Sequence, residues 1–360
     1  MEQASQRIKK LAPLGDVLHK IDALAAPVKP RESALAEALG GVLAEEVKLS
    51  AAHPAEARAL IDGFALRAEE IADAGPYAPV KAKATWLEAG EKLPPDTDAV
   101  LPPDAMNENG EATAPAGAGE GVWPAGADGR AGGVLGRAGE KLRAGDIAAL
   151  EALGVKSVSL RVPKIFLAQA GGKADGPAVP LIARMIAASG GEAEVGPFDA
   201  AFGSGAGATV VIGGSGMGKS DASVTALGKK GRVEFHGVGL RPGETTALGT
   251  IDARPVLIVP GRLDAALSAF SVLGLHLIAK LAGRTHYISP MPVKLARKVA
   301  SQVGLAEFVP LERLSKSEAA PLATGTIPIS SLARMDGWLL VPAESEGYPA
   351  GTSVEMRLFP

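Results

Sequence analysis

The chain has 360 residues, about twice the usual size of a single domain, and this length predicts several compact units. Hydrophobic residues make up 47% and charged residues 21% of the sequence, which favours a globular protein over a disordered one. The formal net charge is −3 and no long basic run occurs, which argues against a nucleic-acid partner. Cysteine is absent, which excludes disulfides, thiolate metal sites and cysteine nucleophiles and is typical of a cytoplasmic protein.

Two segments of the sequence are the candidates for a secretory signal and for a membrane-spanning helix. The N-terminal segment is polar and charged, which does not support a secretory signal. The longest apolar stretch, residues 265–283, has helical apolar spacing and carries His276 and Lys280. We therefore predict a buried helix there and no membrane partner.

The residue pattern changes twice in the first half of the chain, from helical to β-like and back to helical. Residues 14–46 show two short amphipathic helical patterns, interrupted at Pro27 and Pro30, and predict a helical start. Residues 51–136 contain short β-like runs separated by Gly, Pro and Asp, which is typical of a small β-rich module. A helix is predicted from Asp146 to Leu153, and a strand follows from Ser157 to Val162.

The second half alternates apolar runs with helical stretches. Four apolar runs, beginning near residues 164, 208, 232 and 255, each end in a turn. Helices are predicted for residues 180–189 and 264–281. This alternation predicts a parallel sheet covered on both faces, with ligands bound beyond the carboxyl ends of its strands. The tail from Pro290 predicts a small terminal β module.

One short motif suggests phosphate binding. Residues 213–220 match the P-loop pattern, with Gly213, Gly218, Lys219 and Ser220 in the defining places. A strand precedes the motif, but the following helical stretch is weak because it contains Gly228, and no carboxylate for Mg²⁺ ends the strand near residue 259. The motif therefore favours a phosphate contact over an NTPase, with a purely structural turn as the alternative.

Four elements in order, ALIDGFALR, GGSGMGKSD, LRPGE and VPGRLDAA, resemble the MoeA and gephyrin E-domain family over nearly the whole chain. The resemblance implies an α/β multi-domain protein with four parts. These are a helical N-terminal domain, an inserted β-rich domain, a three-layer α/β molybdopterin-binding (MogA-like) domain and a C-terminal small β-barrel. Their predicted ranges are 1–50 with 137–162, 51–136, 163–288 and 289–360.

The resemblance also implies site residues. Asp62 and Asp221 are the candidates for catalysis and for holding Mg²⁺, although Asp221 alone could simply cap the following helix. The implied contacts to the pterin ligand are Gly171, Gly172, Lys173, Gly213, Gly214, Ser215, Gly218, Lys219, Ser220, Arg241, Gly243, Pro260, Gly261 and Arg262.

Three positions depart from the family pattern. Lys141 and Lys173 stand where the family has acidic residues, and Glu244 stands where it has a cation. Protonated lysines cannot hold Mg²⁺ but can attract phosphate or molybdate. His236 has no carboxylate nearby in sequence to orient it, which predicts a hydrogen-bonded or exposed histidine rather than an acid-base catalyst.

The implied function is insertion of molybdenum from molybdate into adenylated molybdopterin, with Mg²⁺-dependent release of AMP. The partners implied are a pterin-phosphate ligand, a second copy of the chain in a homodimer with Asp62 acting across it, and a client molybdoenzyme. The replaced carboxylates leave an alternative open, a catalytically reduced protein that binds or carries the cofactor. A P-loop NTPase is the third and weakest hypothesis.

Overall fold

The structure, a computed structural model, describes residues 6–171, 176–284 and 290–359. The chain divides into two compact units, each with its own packing. The first unit comprises Met1–Glu45, Ala138–Ala144 and Ser157–Pro360, and the second comprises Glu46–Arg137 and Gly145–Lys156.

A six-stranded sheet forms the centre of the first unit. Its strands, in spatial order, are Glu192–Val195, Lys164–Gln169, Ala208–Ile212, Arg254–Val259, Ala247–Ile251 and Arg232–His236. The first four are parallel, and the apolar runs predicted three of them, while Glu192–Val195 was not predicted as a strand. Successive side chains of a strand point to opposite faces, so Val210 and Val211 enter two different hydrophobic clusters. This pattern explains why the strands are apolar throughout.

Helices cover both faces of this sheet. They are Leu14–Leu24, Ala178–Ala188, Ser223–Lys230 and a 19-residue helix, Leu263–Leu281. The last consists of Leu263–Ala269, a π-helical turn Phe270–Gly274, and Leu275–Leu281. Gly274 leaves room for the ring of Phe270, because an added Cβ would lie 2.3 Å from it. The resulting three-layer arrangement confirms the predicted fold class.

The long helix is buried, as predicted. Among the described residues, Leu263–Leu281 is the one helix whose length and composition would suffice for a membrane span. However, 83% of its apolar window is buried inside the fold. Its apolarity is therefore explained by the core that it fills.

Two strands of the sheet contradict the prediction of an all-parallel sheet. Arg232–His236 and Ala247–Ile251 are antiparallel to their neighbours. Ala247–Ile251 connects to Arg254–Val259 through Asp252 and Ala253, both with positive φ. Such a two-residue turn joins adjacent antiparallel strands. Residues 247–251 were not predicted to form a strand from the sequence.

The second helical pattern predicted within residues 14–46 is also wrong. The structure has a strand, Arg31–Ala34, one 3₁₀ turn, Leu35–Glu37, and the short strands Val42–Leu43 and Val47–Lys48. Arg31–Ala34 and Val42–Leu43 both pair with Ser157–Arg161. Gly40 has φ +77°, a value unfavourable for helix continuation, and pairing across the chain overrides the local helical spacing.

A small closed barrel ends the first unit, as predicted. Five of its strands form a closed ring, because Gly337–Val341 pairs with both Ala306–Arg313 and Ser353–Leu358. The sheet consists of Leu240–Arg241, Ala306–Arg313, Glu318–Pro321, Met291–Leu295, Ser353–Leu358 and Gly337–Val341. A separate pair is formed by Val299–Ala300 and Gly347–Tyr348, and 3₁₀ turns occur at Phe198–Ala200 and Ile329–Arg334.

The second unit is built from short strands. Their ranges are Arg58–Ala59, Gly63–Leu66, Val80–Lys81, Thr85–Leu87, Ala99–Leu101, Glu111–Ala112, Val122–Trp123 and Val134–Gly136, with 3₁₀ turns at Ala68–Ile71 and Pro103–Ala105. The helix Ala144–Ala152 belongs to this unit from Gly145 onward. The finer four-part division stays a prediction, and its boundary at residue 288 lies outside the described residues.

Candidate functional site at the glycine turn

A glycine-rich turn follows the central strand Ala208–Ile212, and we call residues Gly213–Asp221 the glycine turn. Gly213 and Gly214 have φ values of +89° and +68°, which side chains with a Cβ rarely adopt. A Cβ on Gly213 would lie 3.6 Å from Gly261 Cα and 3.9 Å from the carbonyl oxygen of Ala170. The ends of three adjacent parallel strands therefore meet here, where the sheet rule predicts a ligand site.

The carbonyl oxygens of this turn point into the protein and accept hydrogen bonds. Ser223 donates twice, from Oγ to Gly213 O at 2.9 Å and from its backbone N–H to Gly214 O at 3.0 Å. The ring Nε2 of His236 lies 2.9 Å from Ser215 O, which requires the tautomer with a proton on Nε2. The remaining carbonyl, that of Gly216, accepts a bond from Gln6 at 2.7 Å.

The N–H groups of the same turn are arranged differently. Within the described residues, the N–H groups of Gly214, Ser215, Gly216 and Met217 have no hydrogen-bond partner in the protein. In a planar trans peptide, the carbonyl of one residue and the N–H of the next point in opposite directions. Each carbonyl fixed inward therefore directs the following N–H outward. Consecutive N–H donors of this kind suit an oxyanion such as phosphate. Gly214, Ser215 and Gly216 line a pocket, whereas Met217 follows them and is not among its lining residues.

The turn forms one wall of a pocket of about 280 Å³. The other walls come from two further loops, and the lining residues are Gly214, Ser215, Gly216, Asp221, Gly243, Glu244, Thr245, Pro260, Gly261, Arg262 and Ala265. The hydroxyls of Ser215 and Thr245 are 2.9 Å apart and join two of these loops.

Arg262 supplies the positive charge of the pocket. Its Nε donates to Oδ1 of Asp264 at 2.6 Å, and that carboxylate is only 3% exposed. The backbone N–H groups of Ala265 and Ile327 also donate to Asp264, at 2.8 and 3.2 Å. Because the buried carboxylate fixes only one guanidinium nitrogen, the rest of the guanidinium can bind an anion.

Two carboxylates line the same pocket. Oδ2 of Asp221 accepts a bond from Gly218 N at 2.8 Å, and Oε2 of Glu244 accepts one from Gly243 N at 3.0 Å. No three His, Asp or Glu side chains among the described residues are grouped to hold a metal by themselves. Mg²⁺ commonly takes one or two protein carboxylates together with phosphate oxygens, so Asp221 and Glu244 fit such an ion.

Some of the other predicted site residues lie away from this pocket. Arg241 donates from Nη1 to Oε1 of Gln302 at 2.9 Å and does not line it. Lys219 and Ser220 are exposed on the turn, outside the lining residues. Gly171 is an exposed turn residue with φ +87°, while Gly172 and Lys173 lie outside the described residues.

The P-loop hypothesis finds little support in this geometry. In a P-loop, the lysine and the following Ser or Thr open the helix that holds the phosphate. Here the helix begins at Ser223, and Asp221 closes the turn by accepting from Gly218 N. Asp221 does not cap this helix, because the N-cap residue is Ala222, which makes no side-chain cap hydrogen bond. The role of Asp221 as a site residue stays a prediction.

Asp62 lies in the second unit. Its side chain is exposed, and Oδ1 accepts a hydrogen bond from Ala89 N at 2.7 Å. The neighbouring Gly63 packs directly on a strand, because an added Cβ would lie 2.2 Å from the carbonyl oxygen of Leu101. Its roles in catalysis and metal binding stay predictions.

Lys141 does not line the pocket, contrary to what its charge suggested. Its ammonium group donates to the carbonyl oxygen of Ala188, the last residue of the helix Ala178–Ala188. A cation at this end of a helix is favourable, because the unpaired carbonyls there carry partial negative charge. Burial lowers the pKa of Lys141, and the nearby charge of Arg284 lowers it further. Lys141 therefore has a structural role.

Several residues that build the site were not predicted from the sequence. They are Gln6, Thr245 and Asp264, although Asp264 follows Arg262 closely at the start of an apolar helical stretch. By contrast, the prediction that His236 is hydrogen-bonded rather than catalytic agrees with its bond to Ser215 O.

The second unit has a larger cavity of about 760 Å³. Apolar side chains dominate its wall, together with Trp123 and the pair formed by His53 Nδ1 and Asp128 Oδ2 at 2.9 Å. The lining residues are Ala52, His53, Pro54, Ala55, Arg58, Ala59, Leu60, Ala89, Gly90, Trp123 and Asp128.

The chain is similar to known proteins in both sequence and fold. Residues 1–154 match the family model described as the MoeA N-terminal region, domains I and II. A crystal structure of the molybdopterin biosynthesis MoeA protein from Pyrococcus horikoshii superposes with a TM-score of 0.77 and 25% identity. That match covers 98% of this chain and all of the other. The N-terminal 154 residues therefore match the MoeA family, and the chain as a whole has the fold of a MoeA protein.

Two relatives show how far this likeness extends. A Methanocaldococcus jannaschii protein described as a molybdopterin biosynthesis protein is 31% identical over 152 residues, 42% of this chain and only 36% of that relative's length. The molybdopterin molybdenumtransferase 1 of Mycobacterium tuberculosis is 24% identical over 410 aligned positions, which cover 94% of this chain and 96% of that protein. The MoeA likeness thus extends to the C-terminal region beyond residue 154.

Proposed function

We propose that this protein acts in molybdenum cofactor biosynthesis and binds a phosphorylated pterin in the glycine-turn pocket. The observation that carries the proposal is the row of N–H donors from Gly214 to Met217, beside the anchored guanidinium of Arg262. Backbone donors and a guanidinium together recognise the oxygens of a phosphoryl group. The relatives named for molybdopterin biosynthesis support the choice of a pterin ligand.

In more detail, we propose insertion of molybdenum from molybdate into adenylated molybdopterin, with release of AMP. The N–H row would bind and orient the phosphoryl group, and Arg262 would balance its charge. Asp221 and Glu244 would hold Mg²⁺ against the phosphoryl oxygens, where the ion would neutralise developing negative charge. The M. tuberculosis relative is named a molybdopterin molybdenumtransferase, which supports this activity.

One observation favours a second candidate, a protein that binds or carries the cofactor without inserting the metal. Only two carboxylates line the pocket in the described part of the chain, and Lys141 serves the fold rather than the ligand. A site with few metal ligands can still bind phosphate through its N–H groups and guanidinium, but it supports metal-assisted cleavage less well.

The test is to mix the purified protein with adenylated molybdopterin, Mg²⁺ and molybdate and to follow AMP release against a control without molybdate. Molybdate-dependent release with repeated turnover supports the insertase. Tight binding without release supports the binding protein instead. Absence of both binding and release would refute both candidates.

A homodimer, with Asp62 acting in its partner's site, is part of the same proposal. Asp62→Asn and Asp221→Asn variants would each be inactive, but random mixing would restore about a quarter of the sites in an exchanging dimer. AMP release by the mixture is the measurement. A mixture as inactive as its components, despite demonstrated subunit exchange, would contradict a shared site.

A further inference from the structure

The N-terminal segment lies against the glycine turn, and we call residues 6–12 the N-terminal strap. Ala12 N donates to Gly237 O at 3.0 Å, and Gly239 N donates to Ala12 O at 2.8 Å. A Cβ on Gly237 would lie 2.5 Å from Ile8 Cγ2 and 3.0 Å from Leu11 Cδ2. The strap therefore packs tightly beside the strand end that carries His236.

Gln6, at the start of the strap, is only 9% exposed and all of its amide atoms are used. Its Nε2 donates to Gly214 O at 2.8 Å and to Gly216 O at 2.7 Å. Its Oε1 accepts a bond from Thr225 N at 3.2 Å, in the first turn of the helix that follows the glycine turn. One side chain thus links both ends of this loop across more than 200 residues of sequence.

The two bonds from Gln6 have a specific consequence for the N–H row. Because a peptide plane is rigid, fixing Gly214 O directs the N–H of Ser215, and fixing Gly216 O directs the N–H of Met217. Other residues hold the remaining carbonyls, because Ser223 Oγ binds Gly213 O and His236 binds Ser215 O. The backbone N–H of Ser223 also binds Gly214 O at 3.0 Å, so Gln6 and Ser223 fix that carbonyl together. Gln6 is therefore the only side chain among the described residues that fixes the carbonyl before Met217 N–H.

We propose that Gln6 is a positioning residue, which holds the N–H group of Met217, and together with Ser223 that of Ser215, in the orientation that binds the phosphoryl group. This inference rests on the proposed phosphoryl site at the glycine turn. Gln6 does not act on the ligand directly but through the peptide planes that it fixes. Its loss would leave the strap and the fold in place while the N–H row loses its alignment.

Two variants separate donation from space filling. Gln6→Met keeps the length of the side chain but cannot donate, and Gln6→Glu keeps an acceptor for Thr225 N while placing a carboxylate against two carbonyl oxygens. Arg7→Lys is the matched control, because Arg7 is the exposed neighbour and its charge is kept. Circular dichroism and thermal melting check that every variant is folded.

The first measurement uses the ligand-free protein. In ¹⁵N-labelled full-length protein, Gln6→Met and Gln6→Glu should shift the amide signal of Met217 most and that of Ser215 less, because Ser223 N–H still binds Gly214 O. The amide of Gly214 should change least, because Ser223 Oγ still binds the preceding carbonyl and Gln6 does not contact it. An amide signal of Met217 identical to that of the parent would overturn the proposal.

The second measurement is binding of inorganic phosphate, followed through the same amide signals. Both variants should weaken phosphate binding about 10- to 100-fold, while Arg7→Lys stays within about twofold of the parent. Phosphate affinity unchanged in both variants overturns the positioning role. If the parent itself binds neither phosphate nor adenylated molybdopterin, the proposed function fails, and the amide signals of the ligand-free variants alone decide the role of Gln6.

Discussion

Two cavities of this protein, the glycine-turn pocket and the larger cavity of the second unit, differ in what lines them. The glycine-turn pocket measures about 280 Å³ and presents mainly backbone groups, whose carbonyls are bound inward and whose N–H groups face outward. The cavity of the second unit is larger, about 760 Å³, and presents side chains of Ala, Pro, Leu and Trp, a His–Asp pair, and Arg58, whose Nη1 donates to Gly90 O. The smaller pocket has the donors that an oxyanion needs, so chemistry and not volume identifies the candidate site.

The largest expected effect comes from changing the backbone of the smaller pocket. Gly214→Ala would place a Cβ 2.2 Å from Ser223 Oγ at a residue with φ +68°. Moving Ser223 breaks its bond to Gly213 O and disturbs the N–H row. We expect a loss of about 2–4 kcal/mol in the free energy of unfolding and at least about 100-fold weaker phosphate binding. Urea denaturation and phosphate titration measure the two effects.

The control for this variant is Gly351→Ala in the barrel. Gly351 has a similar φ, +82°, but an added Cβ would meet nothing within 4 Å. The control should cost about 1 kcal/mol and leave phosphate binding unchanged. Equal losses of binding in the two variants would contradict a specific role for the glycine turn.

The second prediction concerns the anchor of Arg262. Asp264→Asn would place an NH₂ group where a carboxylate oxygen now accepts from a backbone N–H or from Arg262. We expect a destabilisation of about 2–4 kcal/mol, because the carboxylate is buried and accepts three hydrogen bonds. Phosphate binding should weaken about 10-fold as Arg262 loses its fixed orientation.

Asp252→Asn provides the comparison for this carboxylate. Asp252 is exposed in the two-residue turn, 3.7 Å from Arg254, and asparagine tolerates its positive φ. Its change should stay within about 0.5 kcal/mol. If Asp264→Asn is as mild as Asp252→Asn in urea denaturation, the buried anchor does not stabilise this region.

The sequence predicted the part of this site that depends on local chemistry. Apolar runs marked three of the four parallel strands, and glycines marked the turn where the strand ends meet. The fourth parallel strand, Glu192–Val195, was missed because two of its four residues are glutamates. The antiparallel strand Ala247–Ile251 escaped notice because its hairpin turn, Asp252 and Ala253, lacks glycine although both residues have positive φ. The local turn signals therefore predicted only part of the sheet.

Tertiary contacts explain what could not be predicted. The link from Gln6 to Gly214 spans 208 residues, and nothing in the local sequence of either partner indicates it. Lys141 was interpreted as an anion contact from its charge, but its partner is a helix carbonyl 47 residues away. A residue's charge indicates what it can bind, whereas the fold determines which partner is within reach.

The third prediction uses the pH dependence of stability. Burial and then Arg284 lower the pKa of Lys141 below its ordinary 10.5, so the folded protein binds this proton less tightly than the unfolded chain does. The resulting penalty is fully present at pH values well below the lowered pKa. It disappears as the pH rises through the lowered pKa toward 10.5, so the parent gains stability over this range.

Lys141→Met removes this titration. The free energy of unfolding of the parent minus that of the variant should therefore increase as pH rises above neutral, while phosphate binding stays within about twofold. Urea denaturation of both proteins at several alkaline pH values measures the difference, in which other titrating groups cancel. A difference independent of pH, or a loss of phosphate binding in the variant, would contradict the structural role of Lys141.

The smallest effect is expected in the larger cavity. Asp128→Asn removes the charge from a half-exposed pair with His53, and such pairs contribute about 0–1 kcal/mol. Phosphate titration of this variant should match the parent within about twofold, because the donors of the glycine turn are unchanged. The chain has three tryptophans, and Trp123 lines this cavity, so the fluorescence change that is lost in Trp123→Phe reports a ligand bound there. Phosphate that causes this change in the parent, and no longer does so in Asp128→Asn, would locate the oxyanion in the larger cavity and reverse the assignment.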